Sequence, residues 1–388
     1  MHLTREQERA LNGEFGWAYA KALEIIVKVG ESLGADRLIS ISHAHISGVS
    51  YSNIGEAGLE FLRDFHREKP RFRVYTTINP GCVDYGMLSK VIDNKFVEKQ
   101  RQIDDVLVGM GARPVFTCIP YYHRPPMPHE NLSWGESSAV IFANSFFGAR
   151  TNREGGPLAL ASAITGLTYY YGLHKDENRV ARVLVKLSPK VADMPLSLTG
   201  LWVGENVRKI PFITLERKPL EEVKTLLASM AASGFHAMAV LENITPRNTY
   251  GIEIEETLTI EVGDVERYIA EKPSGDDEVL GYIGCPHTHP SELILLKKLI
   301  EKYKSPRRGR LLVTIPVEFL STYEPLIKFL VSRGVDIASG TCPVVSTLSR
   351  RFDIVLTNSG KAYFYLRKIH GLRVGITGIR QIVESVYR

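Results

Sequence analysis

The chain has 388 residues, of which 44% are hydrophobic and 23% are charged. This balance excludes a disordered, collagen-like or disulfide-scaffold protein, and the length predicts about two or three domains. The net charge of +5 is too small to indicate nucleic-acid binding, although the basic excess lies in residues 301–388, where it could face an acidic substrate or partner. No stretch reaches the ~20 apolar residues of a membrane span, and no signal-peptide pattern opens the chain. We therefore expect a cytoplasmic protein without a membrane or nucleic-acid partner.

Apolar runs and helical patterns alternate along the whole chain. The first part predicts helices over 18–33, 55–65 and 89–107 and strands over 37–41, 72–76 and 114–117. The middle predicts strands over 180–187 and 237–241 and a helix over 220–233. The last part predicts strands over 278–283, 311–315, 352–356 and 374–376 and helices over 291–303, 325–333 and from 378. Strands that alternate with helices in this way indicate an α/β fold with mainly parallel sheets.

Two loops suggest the domain boundaries. Residues 121–129 are rich in proline, which excludes a helix or a central strand there, and residues 272–277 form a second loop of turn-forming residues. We therefore predict an N-terminal α/β domain over 1–125, a middle α/β domain over 126–275 and a C-terminal α/β domain over 276–388.

The chain has four cysteines, and a cytosolic protein of this size favours metal binding or catalysis over disulfides. Cys118, Cys285 and Cys342 each come just after a predicted strand and shortly before a proline. Ligand crevices of α/β proteins lie at the carboxyl ends of strands, so the three thiols are predicted to converge. The alternative is three unrelated buried cysteines.

Convergence of the thiols would leave the choice of metal open. Three thiolates on an iron–sulfur cluster leave one iron free to act as a Lewis acid on a substrate oxygen. Zinc is the alternative, because His287 and His289 add two imidazoles directly after Cys285. No CxxC spacing decides between them.

A polar segment before the predicted helix that starts at Leu158 contains two arginines and paired glycines. Arginine side chains and the backbone amides of a helix start would bind a carboxylate or a phosphate, and a polar loop with structural glycines is the alternative. The candidate substrate-binding residues of this segment are Asn144, Arg150, Thr151, Asn152 and Arg153.

Polar residues also follow two predicted strands. After the first strand, residues 42–50 are rich in serine and histidine, which suits substrate hydrogen bonding or proton transfer as well as simple turns. After the strand over 352–356, Asn358 and Lys361 are further candidates for substrate binding. Neither GxxxxGK[ST] nor GxGxxG occurs, which disfavours ATP hydrolysis and dinucleotide redox chemistry.

Five segments carry a combined pattern: residues 42–48, 148–156, 171–174, 283–287 and 341–345. Taken together they resemble the aconitase X family across essentially the whole chain. Cys118, within Thr117-Cys118-Ile119-Pro120, fits the family's third cluster position, whereas Cys82 fits no ligand motif.

The resemblance implies an aconitase-like fold of several three-layer αβα domains that lacks the swivel domain. It implies an iron–sulfur hydro-lyase whose cluster, [4Fe–4S] with one iron free of cysteine, is held by Cys118, Cys285 and Cys342. The reaction would be loss of water from (R)-mevalonate 5-phosphate to give trans-anhydromevalonate 5-phosphate, within the archaeal mevalonate pathway. The candidate catalytic residues are His45, Ser47 and Glu154.

The resemblance also implies a partner, because members of the family need a swivel domain that carries a catalytic serine. We expect a separate small subunit to supply it, so that the protein works as a heterodimer. Relatives with the same pattern act instead on cis-3-hydroxy-L-proline, which is the alternative substrate. A zinc-binding subunit without chemistry of its own is the alternative from a different class of protein.

Overall fold

The computed structural model describes residues 1–86, 94–216, 218–269, 273–274, 277–346, 348–349 and 352–388. The predicted helix over 89–107 therefore lies partly outside the described residues, as does the predicted loop over 272–277. None of the helices within these ranges is both long and apolar enough to cross a membrane.

The described helices fall between the strands along most of the chain. They are α1 Arg5–Leu11, α2 Trp17–Leu33, α3 Tyr51–Arg67, α4 Asn94–Gly109, α5 Ser137–Phe142, α6 Gly156–Thr165, α7 Pro189–Ala192, α8 Leu196–Asn206, α9 Leu220–Gly234, α10 Val262–Val265, α11 Pro290–Ile300, α12 Phe319–Thr322, α13 Glu324–Ser332, α14 Gly360–His370 and α15 Ile379–Tyr387. The strands are β1 Leu38–Ser40, β2 His43–Ile46, β3 Tyr75–Ile78, β4 Leu132–Trp134, β5 Leu167–Tyr169, β6 Val180–Leu187, β7 Pro211–Ile213, β8 Val240–Leu241, β9 Gly251–Ile260, β10 Val279–Ile283, β11 Arg310–Ile315, β12 Val335–Ser339, β13 Ile354–Thr357 and β14 Arg373–Ile376.

Three parallel sheets organise the described chain. The first sheet has the strand order β3-β2-β4, the middle sheet β8-β7-β6-β9, and the third sheet β12-β11-β10-β13-β14. All ladders within these sheets are parallel, and β1 and β5 form a separate antiparallel pair. The predicted α/β fold with mainly parallel sheets is confirmed.

The strands of the third sheet can be predicted from the sequence because they are buried on both faces. Every residue of the central strand β10 is buried, because helices cover both faces of a parallel sheet and leave no side for water. Such strands are continuous apolar runs, and the predicted strand over 278–283 agrees with β10. Helix α2 likewise begins and ends within a residue of its prediction, with Gly34 in the left-handed conformation (φ +82°) at its end.

The first sheet differs from its prediction in two places. Residues 43–46, predicted as part of a polar segment that follows the first strand, form the central strand β2, and all four are buried. The predicted strand over 114–117 is not formed, and only an isolated bridge joins Thr77 to Arg113. Pro114 has no N–H to donate and Phe116 has a φ of +40°, so a regular ladder cannot continue there.

A helix from later in the chain packs on the first sheet. Helix α6 packs against α2 and β2, although about a hundred residues separate α6 from β2. Helix α5, by contrast, packs against α9 of the middle part of the chain. The division into 1–125, 126–275 and 276–388 stays a prediction.

Candidate metal and substrate site

The carboxyl ends of the first and third sheets face a common cavity of about 290 Å³. Lining residues follow strands β2, β3 and β4 of the first sheet and strands β10 and β12 of the third sheet, and helix α14 adds Lys361, Tyr365 and Ile369. The lining side chains that carry chemistry are Ser47, Asn53, Asn79, Glu136, Ser137, Arg153, Lys361, Tyr365 and the three cysteines Cys118, Cys285 and Cys342. The cavity therefore joins residues from both ends of the chain.

The three thiols predicted to converge all line this cavity. Cys118 and Cys285 are buried and Cys342 is partly exposed. Burial raises the pKa of each thiol to about 12, so each holds its proton until a metal displaces it. Cys82 lies elsewhere, and its thiol donates to Gln100 Oε1 at 3.2 Å. The geometry thus separates three cysteines from the fourth.

The candidate metal donors around the cavity are the three cysteine sulfur atoms. No group of three or more His, Cys, Asp or Glu side chains within the described ranges is arranged to hold a single metal ion. The three thiols line one cavity, and soft thiolates are the ligands that an iron–sulfur cluster takes. The residues present fit this group.

The two imidazoles that would favour zinc form hydrogen bonds with other groups of the protein. His287 is fully buried, and its ring nitrogens contact Thr117 Oγ1 at 3.2 Å and the Thr341 carbonyl at 3.1 Å. His289 Nδ1 accepts from the backbone N–H of Ser291 at 3.0 Å and so caps helix α11. Both side chains are committed to contacts within the protein.

A buried ion pair lies beside the thiols. Lys361, near the start of α14, contacts Glu136, which follows β4, and also donates to Ser138 Oγ at 3.2 Å. Burial alone would raise the pKa of Glu136, but Lys361 and the amide of Asn79 hold it at about 2. Glu136 is therefore ionised, and the pair joins the first sheet to the third.

A chain of hydrogen bonds leads from this pair into the first sheet. Asn79 Nδ2 donates to Glu136 Oε2 at 2.9 Å, and Asn79 Oδ1 lies 3.2 Å from His45 Nε2. His45 Nδ1 lies 2.8 Å from Thr77 Oγ1, which also contacts His43. Burial lowers the pKa of His45 to about 4, so its ring is neutral at pH 7. His45 thus reaches the cavity through Asn79 and does not line it.

The structure brings some of the predicted site residues together and places others apart. Those that line the cavity are Ser47, Arg153, Lys361, Cys118, Cys285 and Cys342. Those that do not line it are His45, Asn144, Arg150, Thr151, Asn152, Glu154 and Asn358. Arg153 is held at the cavity because one of its nitrogens donates to the Ala231 carbonyl at 3.1 Å and its guanidinium lies 5.1 Å from the centre of the Phe235 ring.

The neighbours of Arg153 hold its loop in place. Asn144 donates to the carbonyls of Thr151 and Ala237 at 2.8 and 2.9 Å. Arg150 donates to Asp176 at 2.5 Å. The Thr151 hydroxyl accepts from the Trp134 N–H at 3.1 Å. The Asn152 side chain bonds the backbone of Tyr171 and Leu173.

Two other predicted residues face away from the cavity. Glu154 is buried and accepts from the Tyr169 hydroxyl at 2.9 Å, and burial raises the pKa of this carboxyl to about 7. Asn358 donates to Glu292 Oε1 at 3.2 Å and lines a separate groove of about 520 Å³.

Asn53, Asn79, Glu136, Ser137 and Tyr365 line the cavity and were not predicted. Glu136 follows a strand end, as the cysteines do, but β4 has only three residues and was not recognised. Asn79 follows β3, which extends two residues beyond its predicted end.

Comparison with known proteins places these features in context. Family models described as the first, second and third domains of aconitase X match residues 1–177, 181–270 and 279–388. The chain is 39% identical to the phosphomevalonate dehydratase large subunit of Aeropyrum pernix, covering 100% of both chains, and 38% identical to that of Thermococcus kodakarensis, covering 99% of this chain and 100% of the relative. It is 27% identical to the cis-3-hydroxy-L-proline dehydratase of Hypocrea jecorina, over 99% of this chain and 68% of the relative.

A solved structure is also similar. The crystal structure of Thermococcus kodakaraensis aconitase X in its holo-form matches with a TM-score of 0.90 and 38% sequence identity. The match covers 100% of both chains. The architecture described above is therefore shared over the full length.

Proposed function

Because the chain belongs to the aconitase X family, we propose that it is the large subunit of a phosphomevalonate dehydratase, a hydro-lyase. The proposed reaction removes water from (R)-mevalonate 5-phosphate to give trans-anhydromevalonate 5-phosphate in the cytoplasm, as part of an archaeal mevalonate pathway. The observation that carries this proposal is the cavity that brings three thiols together with Lys361 and Arg153. The relatives at 38–39% identity over their full length bear this name.

Cys118, Cys285 and Cys342 are the proposed ligands of a [4Fe–4S] cluster that has one iron free of cysteine. When bound, this group supplies a Lewis acid for the hydroxyl that leaves as hydroxide. The three thiols give up their protons on binding, so loading is favoured by higher pH.

The charges in the cavity support an anionic substrate. Arg153 leaves the lining with one positive charge beyond the Lys361–Glu136 pair, and an arginine fork suits a carboxylate or a phosphate. Glu136 is the one acidic side chain among the described residues that line the cavity, and Lys361 already neutralises it. The cavity thus offers no free carboxylate for the ammonium group of a hydroxyproline, which favours mevalonate 5-phosphate.

The remaining polar groups have supporting roles. Ser47 is the proposed hydrogen-bond partner of a substrate oxygen. His45 holds the amide of Asn79 so that its N–H faces Glu136. The relatives are named large subunits, and the proposed partner is a small subunit with a swivel domain that supplies the catalytic serine.

The test is anaerobic co-expression with the small subunit, followed by iron and sulfide analysis and by assays on mevalonate 5-phosphate and cis-3-hydroxy-L-proline side by side. We expect iron, acid-labile sulfide and water loss from mevalonate 5-phosphate. Full activity in a protein without iron would contradict the proposal. Turnover of hydroxyproline alone would reassign the substrate, and bound zinc without sulfide would favour the zinc-binding subunit.

A further inference from the structure

His287 lies among the three cysteine loops and is fully buried. It does not line the cavity, and each of its four polar atoms has a partner within the protein. These partners belong to segments far apart in the sequence. A residue with this placement can set how the segments sit relative to one another.

Two atoms of His287 hold the Cys118 loop. The backbone N–H of His287 donates to Cys118 Sγ at 3.1 Å. Its ring Nδ1 lies 3.2 Å from the hydroxyl of Thr117, the residue before this cysteine. The Thr117 oxygen in turn accepts from the N–H of Ile119 at 3.2 Å, so its own proton is free to point at the imidazole.

A third atom holds the Cys342 loop. The ring Nε2 lies 3.1 Å from the carbonyl of Thr341, the residue before Cys342. A carbonyl only accepts, so Nε2 carries the proton and Nδ1 accepts from Thr117. One neutral tautomer of His287 therefore satisfies both loops at once.

The fourth atom ties this arrangement to the middle part of the chain. The carbonyl of His287 accepts from Lys224 Nζ of α9 at 2.9 Å. Lys224 is itself buried and paired with Glu292 at 2.6 Å. Because His287 comes two residues after Cys285, the third cysteine loop is fixed through the backbone.

We propose that His287 is a positioning residue that sets the spacing of the three cavity thiols. The proposal rests on the proposed function for the identity of the group that these thiols hold. Both ring nitrogens are used in holding loops, which leaves neither of them for binding a metal or for accepting a substrate proton. The imidazole acts through Cys118 and Cys342 and does not touch the reacting atoms.

Three substitutions separate the two ring contacts. In His287→Gln the amide nitrogen takes the place of Nε2 and keeps the Thr341 contact, whereas in His287→Asn the amide oxygen takes the place of Nδ1 and keeps the Thr117 contact. His287→Leu loses both. The measurement is the alkylation rate of each cysteine by iodoacetamide in the full-length, metal-free protein, followed by mass spectrometry. Cys82, which contacts Gln100, is the internal control.

The expected pattern is specific to each variant. His287→Gln should speed alkylation of Cys118, His287→Asn that of Cys342, and His287→Leu that of both, by about three- to tenfold for each lost hydrogen bond. Cys82 should keep its wild-type rate. Wild-type rates at Cys118 and Cys342 in folded His287→Leu would overturn the proposal, and so would equal acceleration of both thiols in the Gln and Asn variants.

A second variant keeps the proposal testable if the His287 variants do not fold. Thr117→Val removes the hydroxyl that pairs with Nδ1 of His287. It should speed the alkylation of Cys118 but not that of Cys342. In a His287→Gln background the same change should add little, because that contact is already lost. Full additivity of the two effects would contradict the proposal.

Iron and sulfide loading separates this inference from the proposed function. The positioning variants should bind iron and lose it to a chelator faster than wild type. If wild type binds no iron, the alkylation pattern still tests His287. If wild type binds iron and turns over substrate while the pattern is absent, the positioning role alone fails.

Discussion

The ammonium of Lys224 lies 2.6 Å from Glu292 Oε2, and the two side chains are only 2% and 1% exposed. Lys224 belongs to α9, which packs in the middle part of the chain, and Glu292 belongs to α11, which covers the third sheet. The same ammonium donates to the His287 carbonyl, and Glu292 Oε2 also accepts from the N–H of His289 at 2.8 Å. One buried charge pair thus joins two parts of the fold at the Cys285 loop.

Replacing Lys224 should destabilise the protein strongly. Lys224→Met leaves Glu292 charged and buried without its partner, which costs about 3–5 kcal/mol in the free energy of unfolding measured in urea. Adding Glu292→Gln should recover part of this loss, because the unpaired charge is then removed. Lys298→Met, at an exposed position of α11, is the control and should change the free energy by less than about 0.5 kcal/mol. Equal effects of the two lysine substitutions would contradict the interpretation.

Asp104 should make stability depend on pH. Burial raises the pKa of this carboxyl to about 8, and it contacts the Tyr85 hydroxyl and Gln100. Between pH 4 and 8 the folded protein keeps a proton that the unfolded chain has released. The free energy of unfolding therefore falls as pH rises, by at most about 1.4 kcal/mol per pH unit from this group.

The variant Asp104→Asn replaces the ionisable carboxyl by an amide of nearly the same size, which does not titrate. Its free energy of unfolding relative to wild type should increase from pH 4 to pH 8 and level out above. Urea unfolding at several pH values measures this difference. Asp64→Asn, at an exposed position of α3, serves as the control, and an equally sloping difference for that variant would reject the assignment to Asp104.

The four cysteine-to-serine variants should fall into two groups according to the iron that each retains. Cys118→Ser, Cys285→Ser and Cys342→Ser each remove one thiol from the cavity and should abolish retention of iron and sulfide after anaerobic reconstitution. Cys82→Ser keeps a donor for Gln100 and should retain both elements at the wild-type level. Loss of iron from a folded Cys82→Ser protein would overturn the proposed ligand set.

Arg150 and Arg153 should behave differently although the sequence treats them alike. Arg153→Gln removes a cation from the cavity and should lower kcat/KM for mevalonate 5-phosphate by about 10–100-fold, mostly through KM, as expected for a charge-assisted contact. Arg150→Gln loses an ion pair with Asp176 outside the cavity and should leave KM unchanged. Steady-state kinetics of the two variants decide the point, and a KM effect of equal size in both would refute it.

The cysteines could be found from the sequence because they follow a general rule. Parallel strands end at the same edge of a sheet, so residues just after two such strands come together whatever the loops between them. Cys285 and Cys342 follow β10 and β12 of the third sheet, and both line the cavity. Cys118 reached the same cavity although its predicted strand is not formed, because the Thr117 N–H still bonds the end of β3 at Ile78.

Other parts of the site depend on contacts that the local sequence does not encode. His45 is polar, and its burial in β2 becomes acceptable only through Thr77 and Asn79, which lie more than thirty residues away. Glu136 follows a strand of three residues, too short to give a periodic pattern. Arg153 lines the cavity whereas Arg150 pairs with Asp176, and the polar loop itself does not show which of the two arginines Asp176 binds.

The contact between Cys118 and His287 spans 169 positions of the sequence. A ribosome therefore releases the first of these thiols long before its supporting residues exist. The complete set of sulfur donors forms only after Cys342 has been synthesised and the third sheet has docked on the first. Insertion of any metal group between these thiols must follow synthesis of nearly the whole chain, and a truncated or stalled product has no place to hold it.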